Sequence, residues 1–173
     1  MYSLLSVWHF PWQDEVNILS AFSDSDWAGC RRTARSTSGG VLMRGCHSLR
    51  TYSVTQKFVT LSSGEAELMA LCRVTSEAIG LAQLAAGWGM SLAAEIFVDS
   101  SAALAVTARR GNGKLRHVKV GCLWVQELAA SKEVLFRKVA GELIPADLCT
   151  KHLDAIVRSR LMPLLGQWPR ERS

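Results

Sequence analysis

Three aspartates stand where a strand or helix of this chain is expected to end or begin: Asp24 in SDSDWAG (23–29), Asp99 in FVDSS (97–101) and Asp147 in ADLCTKHL (146–153). A fourth acid, Glu67 in EAELMA (65–70), lies one turn ahead of Leu71 and Val74 and so leans toward an apolar face. Carboxylates brought together repel unless a cation neutralises them. Mg2+ suits such a set, because it is hard, takes carboxylate oxygens and keeps positions open for phosphate oxygens and water. Two such ions about 3.5–4 Å apart stabilise the attacking and leaving oxygens of an in-line phosphoryl displacement. The same residues also have a plainer reading, as strand-end groups, helix caps or partners of a helix dipole. Within SDSDWAG, Asp24 and Asp26 are two apart and share a strand face, so strand periodicity does not choose between them.

The elements that must position these groups can be read in order. Residues 16–24 (VNILSAFSD) are rich in β-formers and stop at Ser/Asp/Gly punctuation, as a buried strand does. GGVLMRG and SLRTYSVTQ, joined around Gly45, form a predicted antiparallel hairpin, so the chain opens as a meander. From Ser62 to Ala86 the period becomes helical: Leu68, Leu71, Cys72, Thr75, Ile79 and Ala82 recur on one side, and Gly87 and Gly89 punctuate the end. AEIFVDSS is a short strand, SAALAVTARR a helix, GNGK a loop, 115–131 an amphipathic helix and EVLFRKV a last strand. ADLCTKHL then begins a final helix with Asp147 in its first turn. This alternation is that of an α/β domain. If the first and fourth strands are neighbours, Asp24 and Asp99 meet.

Length and composition set the frame. With 173 residues and 49% hydrophobic content the chain supports one domain, predicted over 16–165. Residues 1–15, with Trp8, Phe10, Pro11 and Trp12, show no clear period and read as a lead-in left from something upstream; 166–173 read as a frayed tail. The net charge of +5 is concentrated in two acid-free stretches. One, from Trp27 to Gly64, holds Arg31, Arg32, Arg35, Arg44, Arg50 and Lys57; the other, from Ser100 to Gln126, holds Arg109, Arg110, Lys114, Arg116 and Lys119. Such stretches suit a phosphate-rich partner. Five cysteines without C-x-x-C spacing indicate neither a disulfide framework nor a zinc site. No apolar run is read as a membrane span and no secretory leader is apparent, so an intracellular, cytoplasmic chain without a membrane partner is expected. Ser62, Ser63, His117 and Asp99 make a poor hydrolase triad without a G-x-S-x-G elbow, and GNGK lacks P-loop spacing. His47 and His152 are isolated, and Trp27 reads either as a lid on the core or as a stacking surface.

The blocks SDSDWAG, RSTSGG, TLSSGEAELMAL, FVDSSAAL, LRHVKV and ADLCTKHL, in this order and at these distances, resemble the ribonuclease H domain of copia-type retrotransposon Pol polyproteins over about residues 18–153. The resemblance implies a ribonuclease H-like mixed five-stranded sheet, three antiparallel strands followed by parallel additions, flanked by helices. It implies an endonuclease that cuts the RNA strand of RNA–DNA hybrids with two Mg2+ ions, Mn2+ being an alternative. Asp24, Glu67, Asp99 and Asp147 match the family's metal-binding carboxylates. The match selects Asp24 over Asp26, which is expected past the bend, and Glu67 over Glu65, which lies about 200° away around the helix. Arg31, Arg32, Arg35, Ser38, Lys57, Arg116 and His117 are the expected nucleic-acid contacts, a solvated loop being the equal alternative for the three arginines and packing the alternative for His117, and Gly39 and Gly40 read as room for a sugar–phosphate backbone or a relaxed hairpin. Related enzymes outside the retroelements often carry a histidine before the last aspartate, whereas VAGELIPAD has none. A reverse transcriptase domain of the same polyprotein is the implied second partner, in a virus-like particle. A catalytically inactive domain that binds nucleic acid or packs against that polymerase is the alternative.

Overall fold

Alternation along ILSAFSDSD builds the central strand, β2 (Ile18–Asp26), in which Leu19, Ala21 and Ser23 are fully buried. The structure, a computed structural model, describes residues 6–109 and 119–169. β2 pairs antiparallel with β3 (Thr37–Arg44), which pairs antiparallel with β4 (His47–Thr55) through a turn at Gly45, held at φ +59°. Helix α1 (Ser63–Gly87) carries the chain across to β5 (Ala93–Val98), parallel to β2; α2 (Ser101–Ala108) and α3 (Lys119–Ser131) lead to β6 (Val134–Lys138), parallel to β5. The sheet order is β4-β3-β2-β5-β6, a mixed five-stranded sheet flanked by helices, as the resemblance implied.

The pleat of β2 and β3 divides the core in two. On one side Leu19, Ala21, Leu42, Ile96, Val98 and Val134 pack against Leu68, Leu71, Val74 and Ala78 of α1 and Ala103, Val106 and Val125 of α2 and α3. On the other, Val41 and Met43 meet Ile144, Ala146 and Leu165 from the C-terminal segment. Truncating a fully buried leucine such as Leu71 to alanine costs about 2–5 kcal/mol. By length and composition α1 is apolar enough to cross a membrane, contrary to the reading from its sequence, but its apolar side covers the sheet.

Two glycines do different work from that expected of them. A Cβ on Gly39 would lie 2.5 Å from Thr150 Cγ2 and 2.9 Å from the Ala146 carbonyl oxygen. One on Gly40 would lie 2.3 Å from the Tyr52 ring. Both are thus filled by protein, Gly39 by the one-turn helix α4 (Asp147–Thr150) and Gly40 by an aromatic side chain.

Two expectations differ from the structure towards the C-terminus. The final helix is broken: α4 ends after Thr150, and α5 (Ala155–Leu161) restarts with Asp154 accepting from the Val157 amide at 2.8 Å. The tail does not fray at Trp168, because β7 (Gln167–Pro169) pairs antiparallel with β1 (Ser6–Trp8), Val7 opposite Trp168. The lead-in packs on the hairpin. Gln13 donates to the Arg44 carbonyl at 3.0 Å and accepts from the Cys46 amide at 2.9 Å, His47 Nε2 lies 2.7 Å from the Pro11 carbonyl, and Arg44 Nε donates to the Val16 carbonyl at 2.7 Å. These contacts tie the turn end of the hairpin to the residues that precede β2.

Candidate active site

Parallel pairing of β2 and β5 brings the first two acids together. Phe22 is in register with Phe97, so Asp24 and Asp99 each lie two residues further along neighbouring strands that run the same way. The third comes from the first turns of α1. Ser62 caps that helix by accepting from the Glu65 amide at 3.3 Å, and Glu65 in turn accepts from the Leu61 amide at 2.7 Å. This is a capping box displaced by one residue. It holds Glu65 down at 5% exposure, and Glu67, two positions on, faces the strand ends. One ligand oxygen from each of Asp24, Glu67 and Asp99 lies within 4.8 Å of the others.

Asp147 arrives by a different route. With no side chain at Gly39, which pairs with Asp24 across β2 and β3, α4 can seat directly on the sheet. From there Thr150 donates its hydroxyl to Asp24 Oδ2, and Lys151 Nζ bridges Asp24 Oδ1 at 3.1 Å and Asp147 Oδ1 at 2.8 Å. Asp147 is therefore joined to the group through Lys151. On the far side Gly141 approaches Asp99 closely enough that a Cβ there would sit 3.2 Å from Oδ2. The segment without a histidine thus brings backbone rather than an imidazole to that carboxylate.

Electrostatics record the crowding. Burial, opposed by the Thr150 and Lys151 contacts and reinforced by the Asp147 charge, pushes Asp24 up to about 6. Burial together with the Asp24 and Asp99 charges pushes Glu67 up to about 7. Partial burial pulls Lys151 down, but the carboxylates of Asp147 and Asp24 outweigh it and its pKa is raised. An all-oxygen donor set in which two acids are hard to ionise is one that a divalent cation relieves, so the residues present fit Mg2+ or Mn2+.

Asp26 takes no part in the three-acid group. It is still on β2, paired with Thr37, rather than past the bend, and its carboxylate lies over Gly29, where a Cβ would fall 1.8 Å from Oδ2. Arg31, Arg32 and Arg35 are exposed on the loop after β2, and Lys57 is exposed before α1. The two segments are tied together: Trp27 Nε1 donates to the Thr60 carbonyl at 3.2 Å, and Ser36 Oγ lies 2.9 Å from Thr60 Oγ1. Trp27 is neither a closed lid nor free, but a half-exposed ring with a fixed edge. At 3% exposure the Ser38 hydroxyl accepts from Gln56 Nε2 at 2.9 Å, a contact that braces β3. Arg116 and His117 lie outside the described residues. Thr150 and Lys151 were missed as site residues, although their spacing of three and four from Asp147 places them one helical turn away.

Comparison with solved structures gives a TM-score of 0.54 to LC11-RNase H1, isolated from compost, at 18% identity over 73% of this chain and 87% of that one. The fold is that of ribonuclease H. The N-terminal RNase H domain of a Mycobacterium tuberculosis protein gives a TM-score of 0.53 at 14% identity, covering 76% of this chain and 91% of that one. LC11-RNase H1 in complex with an RNA/DNA hybrid gives 0.54 at 15% identity, covering 76% and 93%. By sequence, the homologues of this RNase H-fold chain include retrotransposon Pol polyproteins. It is 26% identical over 136 residues to the retrovirus-related Pol polyprotein from transposon TNT 1-94 of Nicotiana tabacum, covering 78% of this chain and 10% of that protein. It is 28% identical over 151 residues to the one from transposon RE2 of Arabidopsis thaliana, covering 86% and 10%. A 65-residue stretch is 49% identical to secreted RxLR effector protein 161 of Plasmopara viticola, covering 36% of this chain and 44% of that protein. The chain thus spans less than half the length of these curated relatives. No protein-family model matches it.

Proposed function

We propose that this chain is a copia-type retrotransposon ribonuclease H that hydrolyses the RNA strand of an RNA–DNA hybrid endonucleolytically, with divalent cations held by Asp24, Glu67, Asp99 and Asp147. The observation that carries the reading is the convergence of Asp24, Glu67 and Asp99 at the ends of two parallel strands and a helix, within a ribonuclease H fold. When bound, two ions would activate water and offset charge on the departing 3′ oxygen. The chain's own residues supply the rest. Asp24, buried and braced by Thr150, is the rigid member of the set. Asp99, half-buried and approached by the Gly141 backbone, faces Asp24 and Glu67. Arg31, Arg32, Arg35 and Lys57 hold the sugar–phosphate backbone, with affinity that falls as salt rises. The working context is inside the cell, in a virus-like particle and beside the reverse transcriptase domain of the same polyprotein.

The test is cleavage of an end-labelled RNA–DNA hybrid in Mg2+, with the hybrid in EDTA and an all-DNA duplex as controls. The expected result is internal cuts in the RNA strand that need the cation and disappear in Asp99→Asn, whose circular dichroism remains that of the parent. Binding without cutting in Mg2+, or full cleavage by Asp99→Asn, overturns the assignment.

A further inference from the structure

We propose that the pocket between the end of β4 and the flank of α1 binds one nucleotide, its base held inside and its phosphate at the mouth. The pocket holds about 250 Å3, and Ser38, Gln56, Lys57, Phe58, Met69 and Arg73 are among the residues that line it. Its inner wall is polar and incompletely paired. Gln56, 6% exposed, donates from Nε2 to the Ser38 hydroxyl and to the Ala66 carbonyl oxygen, both at 2.9 Å. A carbonyl oxygen only accepts, so the amide is fixed with its nitrogen toward Ala66 and Oε1 turned away. That Oε1 is buried and has no hydrogen-bond partner among the described residues. An orphaned buried acceptor carries a cost that a ligand's donor would relieve. The Ser38 hydroxyl, which accepts the amide proton, keeps its own proton to give. An acceptor and a donor on one wall match the Watson–Crick edge of a nucleobase, which carries both.

The remaining walls suit the rest of a nucleotide. Phe58, 72% exposed, offers an aromatic face to a base, and Met69 a polarisable thioether. Lys57 and Arg73 are the exposed cations of the pocket. Arg73 lies over the Tyr52 ring at 5.1 Å and 3.7 Å from Glu77, an exposed ion pair that holds it weakly and leaves it able to meet a phosphate. Ligand pockets commonly hold about 300–1,000 Å3, so this smaller one takes a single ring system and leaves the phosphate outside with the cations. Ser38 is in register with Ser25, the residue after Asp24, and Thr37 with Thr55, so the pocket lies at the end of the sheet where Asp24 stands. The nucleotide is therefore either free or an unpaired one at the end of a bound strand; the second source alone rests on the ribonuclease H reading.

The test uses the full chain in EDTA, where cleavage and metal binding contribute nothing. GMP, guanosine and ribose phosphate are titrated into isotope-labelled protein and followed by NMR. GMP should shift the amides of Gln56, Phe58, Met69 and Arg73 and bind about tenfold tighter than either fragment. Phe58→Ala and Arg73→Gln, both at exposed positions, should each weaken GMP about tenfold while circular dichroism stays that of the parent. No shift at these residues, or parental GMP affinity in both variants, overturns the pocket. An RNA–DNA hybrid with one unpaired terminal nucleotide that binds about tenfold tighter than the blunt hybrid, and loses that gain in Phe58→Ala, assigns the pocket to the strand; GMP binding without that gain assigns it to a free nucleotide. GMP binding by a chain that cuts no hybrid in Mg2+ leaves this site standing and removes the ribonuclease assignment.

Discussion

Replacing Glu67 by glutamine should stabilise the metal-free protein, and by an amount that depends on pH. In the folded chain, burial and the charges of Asp24 and Asp99 lift Glu67 from 4.5 to about 7. Below about pH 4.5 the group is protonated in both folded and unfolded chains and costs nothing. Between those values the folded protein keeps a proton that the unfolded chain has released, so stability falls as pH rises; above about pH 7 the full penalty is in place. At about 1.4 kcal/mol per pH unit the span corresponds to about 3 kcal/mol, which partial solvent access at Glu67 reduces to about 2–3 kcal/mol. Glutamine has nearly the shape of the neutral acid and carries no charge. Glu67→Gln should therefore melt roughly 5–10 °C higher than the parent at pH 8 and at nearly the same temperature at pH 4.5. The assay is a thermal melt in EDTA at both pH values. An equal gain at both, or a loss at pH 8, would refute the argument that Glu67 is forced against Asp24 and Asp99. Excess Mg2+ should reverse the order at pH 8, because only the parent keeps the carboxylate that the cation binds.

Two further substitutions test the frame around the acids. Gly39→Ala places a methyl 2.5 Å from Thr150 Cγ2 and 2.9 Å from the Ala146 carbonyl oxygen, so α4 must lift. Chemical denaturation should show a loss of about 1–3 kcal/mol, and cleavage should fall as Asp147 and Lys151 withdraw from Asp24; parental values for both would show that α4 is not seated by this glycine. Asp24→Asn should abolish cleavage, whereas Asp26→Asn, which disturbs only the contact over Gly29, should retain most of it; equal loss in the two would mean that the wrong aspartate has been chosen.

Much of the fold was legible because it rests on local periodicity. The alternation in ILSAFSDSD, the helical recurrence from Leu68 to Ala82 and the glycine at the β3–β4 turn each follow from short-range geometry, and each element forms where its pattern lies. The final helix was misread because Asp154, seven residues after Asp147, caps a new helix. The β1–β7 pair was invisible because it joins the two ends of the described chain, where no local signal reports a partner.

For the site, the sequence by itself determined which acids are present, the strand-to-turn positions of Asp24 and Asp99, and the helical offset that separates Glu65 from Glu67, since all of these depend on neighbours in the chain. Tertiary structure alone decided that Phe22 registers with Phe97, bringing Asp24 and Asp99 level, and that Gly39 admits α4 so that Thr150 and Lys151 engage Asp24. Strand register and the seating of a helix on a sheet are set by contacts between residues far apart in sequence. The charges that raise Glu67 and hold Lys151 exist only after those contacts form.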